Sequence, residues 1–229
     1  MNSIQTTGQQ GDSASIWIYE RLLAEYGPQG WWPGETPLEV IVGAVLTQAT
    51  SWRNVERALS NLKAAGALDL EVLLDIDEAT LASLIQPSGF FYVKARRLRA
   101  VFDHIKYRHN GDLTAFLSQS ASALRQALLG VPGIGPETAD AITLYAAGQP
   151  VFVVDAYTKR ILKRIGLGPD RDRYGDWQSW FHHDLPRQAL LFNEYHAVLV
   201  RHGKEVCRSE PRCERCCLRE RCKVGVTSP

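Results

Sequence analysis

Apolar and polar residues alternate with a helical period over most of the chain. In SIWIYERLLAEY, residues 15–26, Ile16, Tyr19, Leu22 and Leu23 recur at the spacing that gathers apolar side chains on one helix face. LEVIVGAVLTQ, residues 38–48, is apolar almost throughout and fits either a strand or a buried helix. Helical neighbours and the lack of partner strands favour the helix. NVERALSNLKAAG reads as a helix stopped at Gly66. DEATLASLIQ, YVKARRLRAVFDHIKYRH and SASALRQALLG continue the series, broken once at Pro87-Ser88-Gly89. GPQGWWPGETP, residues 27–37, reads as a loop. Further helices are predicted over 136–147, 156–165, 176–183 and 188–202. QPVFVVDAY is the one strongly β-prone run and is too short to make a sheet alone. The fold class is therefore all-α.

Length changes this picture little: 229 residues suffice for one large domain or two interleaved lobes. The expected division is a helical lobe over 38–149 and a second lobe made of 15–37 and 150–229. The polar start, residues 1–14, is expected to be a disordered tail. It lacks the basic and apolar regions of a signal peptide, and no apolar run approaches the about 18 residues of a membrane span. The expectation is a cytoplasmic, nucleoid-associated protein without a membrane partner. Net charge is +1 but unevenly placed. Residues 1–150 hold 11 Lys and Arg against 15 Asp and Glu, whereas residues 151–229 hold 15 against 10. The second stretch is the one suited to a polyanion, although a solvated charged surface would show the same imbalance.

Two local patterns carry chemistry. LRQALLG-VPGIG-PETADAITLYAAG reads helix, tight turn, helix. Gly133 and Gly135 allow backbone N–H groups to approach an anion, and Pro136 suits a first helical position. The turn contains no Lys or Arg, so any phosphate grip here uses backbone donors and ignores base sequence. A plain helical hairpin with a glycine turn fits the same residues. The second pattern is cysteine. The first of five is Cys207, and the spacing Cys207-x5-Cys213-x2-Cys216-x5-Cys222 suggests a local metal site rather than a disulfide framework. Four thiolates suit zinc or a cubane iron–sulfur cluster equally by spacing. Cys217 could replace Cys216, which is favoured because it preserves a CxxC. Arg208, Arg212, Arg215, Arg219, Arg221 and Lys223 make the loop basic.

The hairpin, the VFVVD run ending at Asp155 and the cysteine loop together resemble the helix–hairpin–helix DNA glycosylases related to endonuclease III, over residues 22–222. WWP, VLTQAT, PSGFFYVKARRL and GIGPETADAI look closest to the 3-methyladenine DNA glycosylase III branch. The resemblance implies a two-lobed fold gripping double-stranded DNA with a damaged base, and a monomer. It implies that Asp155 serves hydrolysis of the N-glycosidic bond, although an N-cap role needs no enzyme. It implies that Gln48 fills the gap left by a flipped nucleotide and that Trp31 and Trp32 stack on the base. It tips the cysteine site to [4Fe–4S], although the alkylpurine branch lacks such a loop. Bifunctional relatives carry a lysine two residues beyond the second glycine, where this chain has Glu137. A carboxylate forms no imine, so water attack is expected, unless Lys159 supplies the amine. Lys94, Arg96 and Arg97 are read as phosphate contacts or as a solvated helix face. The rival readings are a bifunctional lyase, a mismatch glycosylase and a non-catalytic DNA-binding protein.

Overall fold

Side-chain caps start most of the helices. Ser13, Thr36, Asp69, Asp77, Asp112, Ser120 and Asp155 each accept a hydrogen bond from an N–H in the first turn that follows. The computed structural model describes residues 13–32 and 34–228, and among them there are helices and turns but no strand. Residues 1–12 of the expected tail lie outside the described residues. Ser13 and Ala14 are not tail: Ser13 caps α1 (Ala14–Tyr26) and Ala14 opens it.

LEVIVGAVLTQ becomes α2 (Pro37–Leu46), with every residue from Leu38 to Leu46 buried. An all-round apolar helix must sit inside a core, and that is why its pattern was ambiguous. There follow α3 (Trp52–Ala64), α4 (Leu70–Asp75), α5 (Glu78–Leu84), α6 (Phe91–His109), α7 (Leu113–Leu117) and α8 (Ala121–Leu129). The hairpin leads into α9 (Pro136–Ala141), which widens into a π-helical turn, Ile142–Ala146, rather than continuing as one α-helix. VFVVD forms no strand; Val151 to Val154 are buried and belong to no helix. Next come α10 (Ala156–Ile165), α11 (Tyr174–Asp184), α12 (Ala189–Glu205) and α13 (Lys223–Thr227). No helix among the described residues is long and apolar enough to cross a membrane.

The chain divides into two compact units. One is Gly30–Val153 with Gln188–Asn193. Its core is built on α2, packed by α3, α6, α9 and the π turn. The other, among the described residues, is 13–29, Val154–Arg187 and 194–228. Its core includes Ile18, Leu22, Leu162, Trp177, Phe181 and Val198, with the Tyr195 hydroxyl donating to Ser15 O at 2.8 Å. The divisions fall after Gln29 and Val153, not after residues 37 and 149. Residues 30–37 join the α2 unit because Trp32 packs on Gly43 and Tyr145. Residues 188–193 join it because Phe192 meets Phe152 edge-on at 5.4 Å.

Candidate functional site

The hairpin turn is anchored from below and open above. Val131 and Ile134 are buried, while Gly133 and Gly135 are exposed. Ile134 N–H donates to Val131 O at 3.1 Å and closes the turn. Gly133 has a φ of +86°, a conformation that favours glycine. Gly135 has a φ of −90°, and a Cβ added there would meet nothing within 4 Å. Among the described residues, no contact excludes a side chain at 135, where glycine is the N-cap of α9. Among the described residues, neither glycine N–H donates to a backbone carbonyl. These are the free donors that an anion needs. Glu137 is exposed in the first turn of α9.

Gln48 is tied to this turn. Its Nε2 donates to Thr138 Oγ1 at 2.9 Å and to Gly133 O at 3.5 Å, and its Oε1 accepts from Arg97. The three α6 cations grouped in the sequence have different fates. Lys94 neither faces solvent nor offers itself to phosphate. It is 1% exposed, and its Nζ donates to Leu46 O at 2.8 Å and Ser88 O at 2.6 Å. There it satisfies a carbonyl at the end of α2, and burial, with the nearby Arg97 charge, pulls its pKa down to about 8. Arg96 is exposed and 3.8 Å from Glu78. Arg97 reaches the hairpin.

Trp31 and Trp32 are half-buried rather than free in an exposed turn. Trp32 meets Tyr145 at 5.0 Å and Trp52 edge-on at 5.2 Å, and Trp31 meets Trp32 at 5.6 Å. The π turn places Tyr145 in this four-ring nest, and neither Trp52 nor Tyr145 was singled out from sequence. At the head of α6, Phe90 is 71% exposed with a φ of +47°. A large apolar side chain held in solvent on left-handed backbone is a feature the sequence reading passed over.

Asp155 is both a cap and a partly buried acid. Its Oδ1 accepts Thr158 N–H at 2.7 Å, and its Oδ2 stands 3.6 Å from His196 Nε2. The side chains are 12% and 7% exposed. Burial alone would raise the carboxyl, but His196 and the Thr158 N–H outweigh it and hold Asp155 below the usual carboxylate range. His196 comes from α12 and no local pattern marks it. Lys159, the substitute amine, is committed elsewhere: its Nζ lies 3.3 Å from Asp172 Oδ1 and donates to Asp172 O at 3.2 Å.

Cys207, Cys213, Cys216 and Cys222 line one cavity with Val206, Val224 and the Arg164 side chain. Cys217 does not line it, and its carbonyl oxygen accepts from Arg21 Nε at 3.3 Å. The donor set is all sulfur. Arg164 donates to Cys207 Sγ at 3.4 Å and to Ser209 O at 2.8 Å, holding the loop. His202 Nε2 lies 3.6 Å from Cys216 Sγ. Burial pushes the Cys216 thiol up to about 11. Among the described residues no three His, Cys, Asp or Glu groups stand at single-ion spacing. Of the loop cations, Arg208, Arg212, Arg215, Arg221 and Lys223 are exposed. Arg219 instead folds back onto Gly225 O and Ser228 O, while the exposed Arg221 lies over Trp17 at 4.7 Å.

Comparison with known proteins adds to this geometry. Residues 42–179 match the HhH-GPD superfamily of base excision DNA repair proteins. A Methanocaldococcus jannaschii protein named as a candidate DNA repair glycosylase is 44% identical over 206 residues, 90% of this chain and 94% of that one. Endonuclease III of Sulfolobus acidocaldarius is 27% identical over 185 residues, 80% of each chain. Among solved structures, 3-methyladenine DNA glycosylase of H. pylori bound to 1,N6-ethenoadenine superposes with a TM-score of 0.74 at 30% identity. That match covers 83% of this chain and 97% of that one.

Proposed function

Because the chain belongs to the HhH-GPD superfamily of base excision DNA repair proteins and is a DNA N-glycosylase, we propose that it excises alkylated purines by hydrolysis and leaves the strand uncut. The observation that carries the hydrolytic reading is the identity of two residues. Glu137, a carboxylate, stands where the lyases place their amine, and Lys159 is engaged by Asp172. In the reaction, the bond between the base nitrogen and the sugar C1′ breaks and its electron pair leaves with the base. Positive charge grows on the sugar, and Asp155, held ionised, stabilises it. Water adds at C1′ and gives its proton to Asp155, which releases it to solvent.

The alkylpurine assignment draws on the aromatic nest and on the H. pylori relative. A purine nucleoside alkylated at N3 or N7 is cationic and its base leaves neutral, so it needs binding more than protonation. Trp31 and Trp32 in their cluster offer aromatic faces suited to such a cation. Gln48 beside the hairpin and exposed Phe90 are the groups suited to the space vacated by the flipped nucleotide. Cys207, Cys213, Cys216 and Cys222 would hold a [4Fe–4S] cluster, supported by the all-sulfur donor set and the endonuclease III resemblance. Bound there, it would cross-link the loop that displays the exposed arginines.

The test is borohydride trapping on an abasic duplex, with strand breaks scored before and after hot alkali on a methylated one. The expected result is no trapped covalent complex, and breaks only after alkali. A trapped complex with direct breaks would return the enzyme to the lyases and require an amine not identified above.

A further inference from the structure

The hairpin turn contains no cation in sequence, yet the fold supplies one. Arg97, on α6, lies against the turn: a Cβ on Gly133 would sit 2.5 Å from Arg97 Cγ and 2.8 Å from its Nε. Its guanidinium donates to the Gln48 amide oxygen. Three other cations of α6 have carboxylates. Arg96 has Glu78 at 3.8 Å, Arg99 has Asp103 at 2.9 Å and Lys106 has Asp75 at 2.5 Å. Among the described residues, Arg97 has no carboxylate at ion-pair distance, and its hydrogen-bond acceptor is a neutral amide. Lys94, one turn before Arg97 on α6, is spent on two carbonyls.

A half-buried guanidinium with a neutral acceptor still lacks a counter-charge. Among the described residues, the N–H groups of Gly133 beside it and of Gly135 two residues on, both exposed, donate to no backbone carbonyl. One ligand satisfies both: an anionic oxygen cluster, bidentate to the guanidinium and bonded to the turn amides. We infer that Arg97 is a phosphate ligand of the hairpin, held by Gln48 in the free protein and turned to the DNA backbone when the duplex binds. This rests on reading the hairpin as a DNA grip, and it deepens that reading. It also gives Gln48 a defined change on binding, since its amide oxygen loses the Arg97 donor as the phosphate takes over.

The experiment measures affinity for an undamaged duplex across a salt series, so base release plays no part. Each phosphate contact contributes about 0.9 to the slope of log affinity against log salt. Arg97→Gln is expected to lower the slope by about 0.9 and the affinity roughly fivefold near 0.15 M salt. Arg97→Lys is expected to keep the slope, because it keeps the charge. Arg97→Met, which retains the aliphatic stem, provides a second neutral variant if the glutamine variant does not fold. A neutral variant that melts like the wild type and keeps its full slope overturns the Arg97 assignment alone. A wild type without salt-dependent duplex binding overturns the hairpin reading and Arg97 with it.

Discussion

Asp155→Asn is expected to lower base release by about 10³-fold while duplex affinity stays within about twofold. The substitution keeps the shape and the N-cap oxygen that accepts Thr158 N–H, so α10 still starts at the same place. What it removes is the negative charge opposite the developing sugar cation. The check is single-turnover release of the methylated base, together with a binding isotherm. Lost release with retained affinity supports a catalytic acid. Equal loss of both would reduce Asp155 to a structural cap and favour the non-catalytic reading. The same carboxyl sets a pH expectation. Its folded-state pKa is lowered, so the ionised form favours the fold at every pH above the unfolded value of about 3.9. That contribution is lost only as pH falls through the lower folded value. Asp155 therefore gives no acid limb to the rate between pH 7 and about 5.

Cys216→Ala is expected to abolish bound iron and its visible absorption, whereas Cys217→Ala keeps both. Adjacent cysteines are hard to rank in sequence, but in the fold Cys216 shares a cavity with Cys207, Cys213 and Cys222. Cys217 does not line that cavity, and Arg21 holds its carbonyl oxygen at 3.3 Å. Loss of a structural metal site removes several kcal/mol, and in a chain of this size that shifts melting by roughly 10 °C or more. Iron content and thermal melting of the two variants decide the matter. Iron lost from Cys217→Ala alone would reverse the register, and zinc in place of iron would overturn the cluster.

Local features were the legible ones. The helices, the hairpin turn and the cysteine spacing each reside in a few consecutive residues, and periodicity or glycine placement reveals them. What escaped comes from residues distant in the chain. His196 meets Asp155 only because α12 packs beside the start of α10. Arg97 reaches Gly133 only through the packing of α6 near the turn, so a hairpin without a cation in sequence is not without one in space. Lys94 shows the converse error. A lysine in a basic run reads as surface, but its long stem carries the ammonium to two buried carbonyls. The lobe boundary also shifted, because Trp32 commits its loop to the α2 core through contacts that no window of sequence displays.

The most direct test of the central claim is chromatography of the free bases released by the purified enzyme. The substrates are otherwise identical duplexes carrying a methylated purine, an oxidised pyrimidine, uracil or a G·T mismatch. Release of the methylated purine, at least about tenfold faster than any other, is the predicted result. Preferential release of an oxidised pyrimidine or of a mismatched base would contradict it.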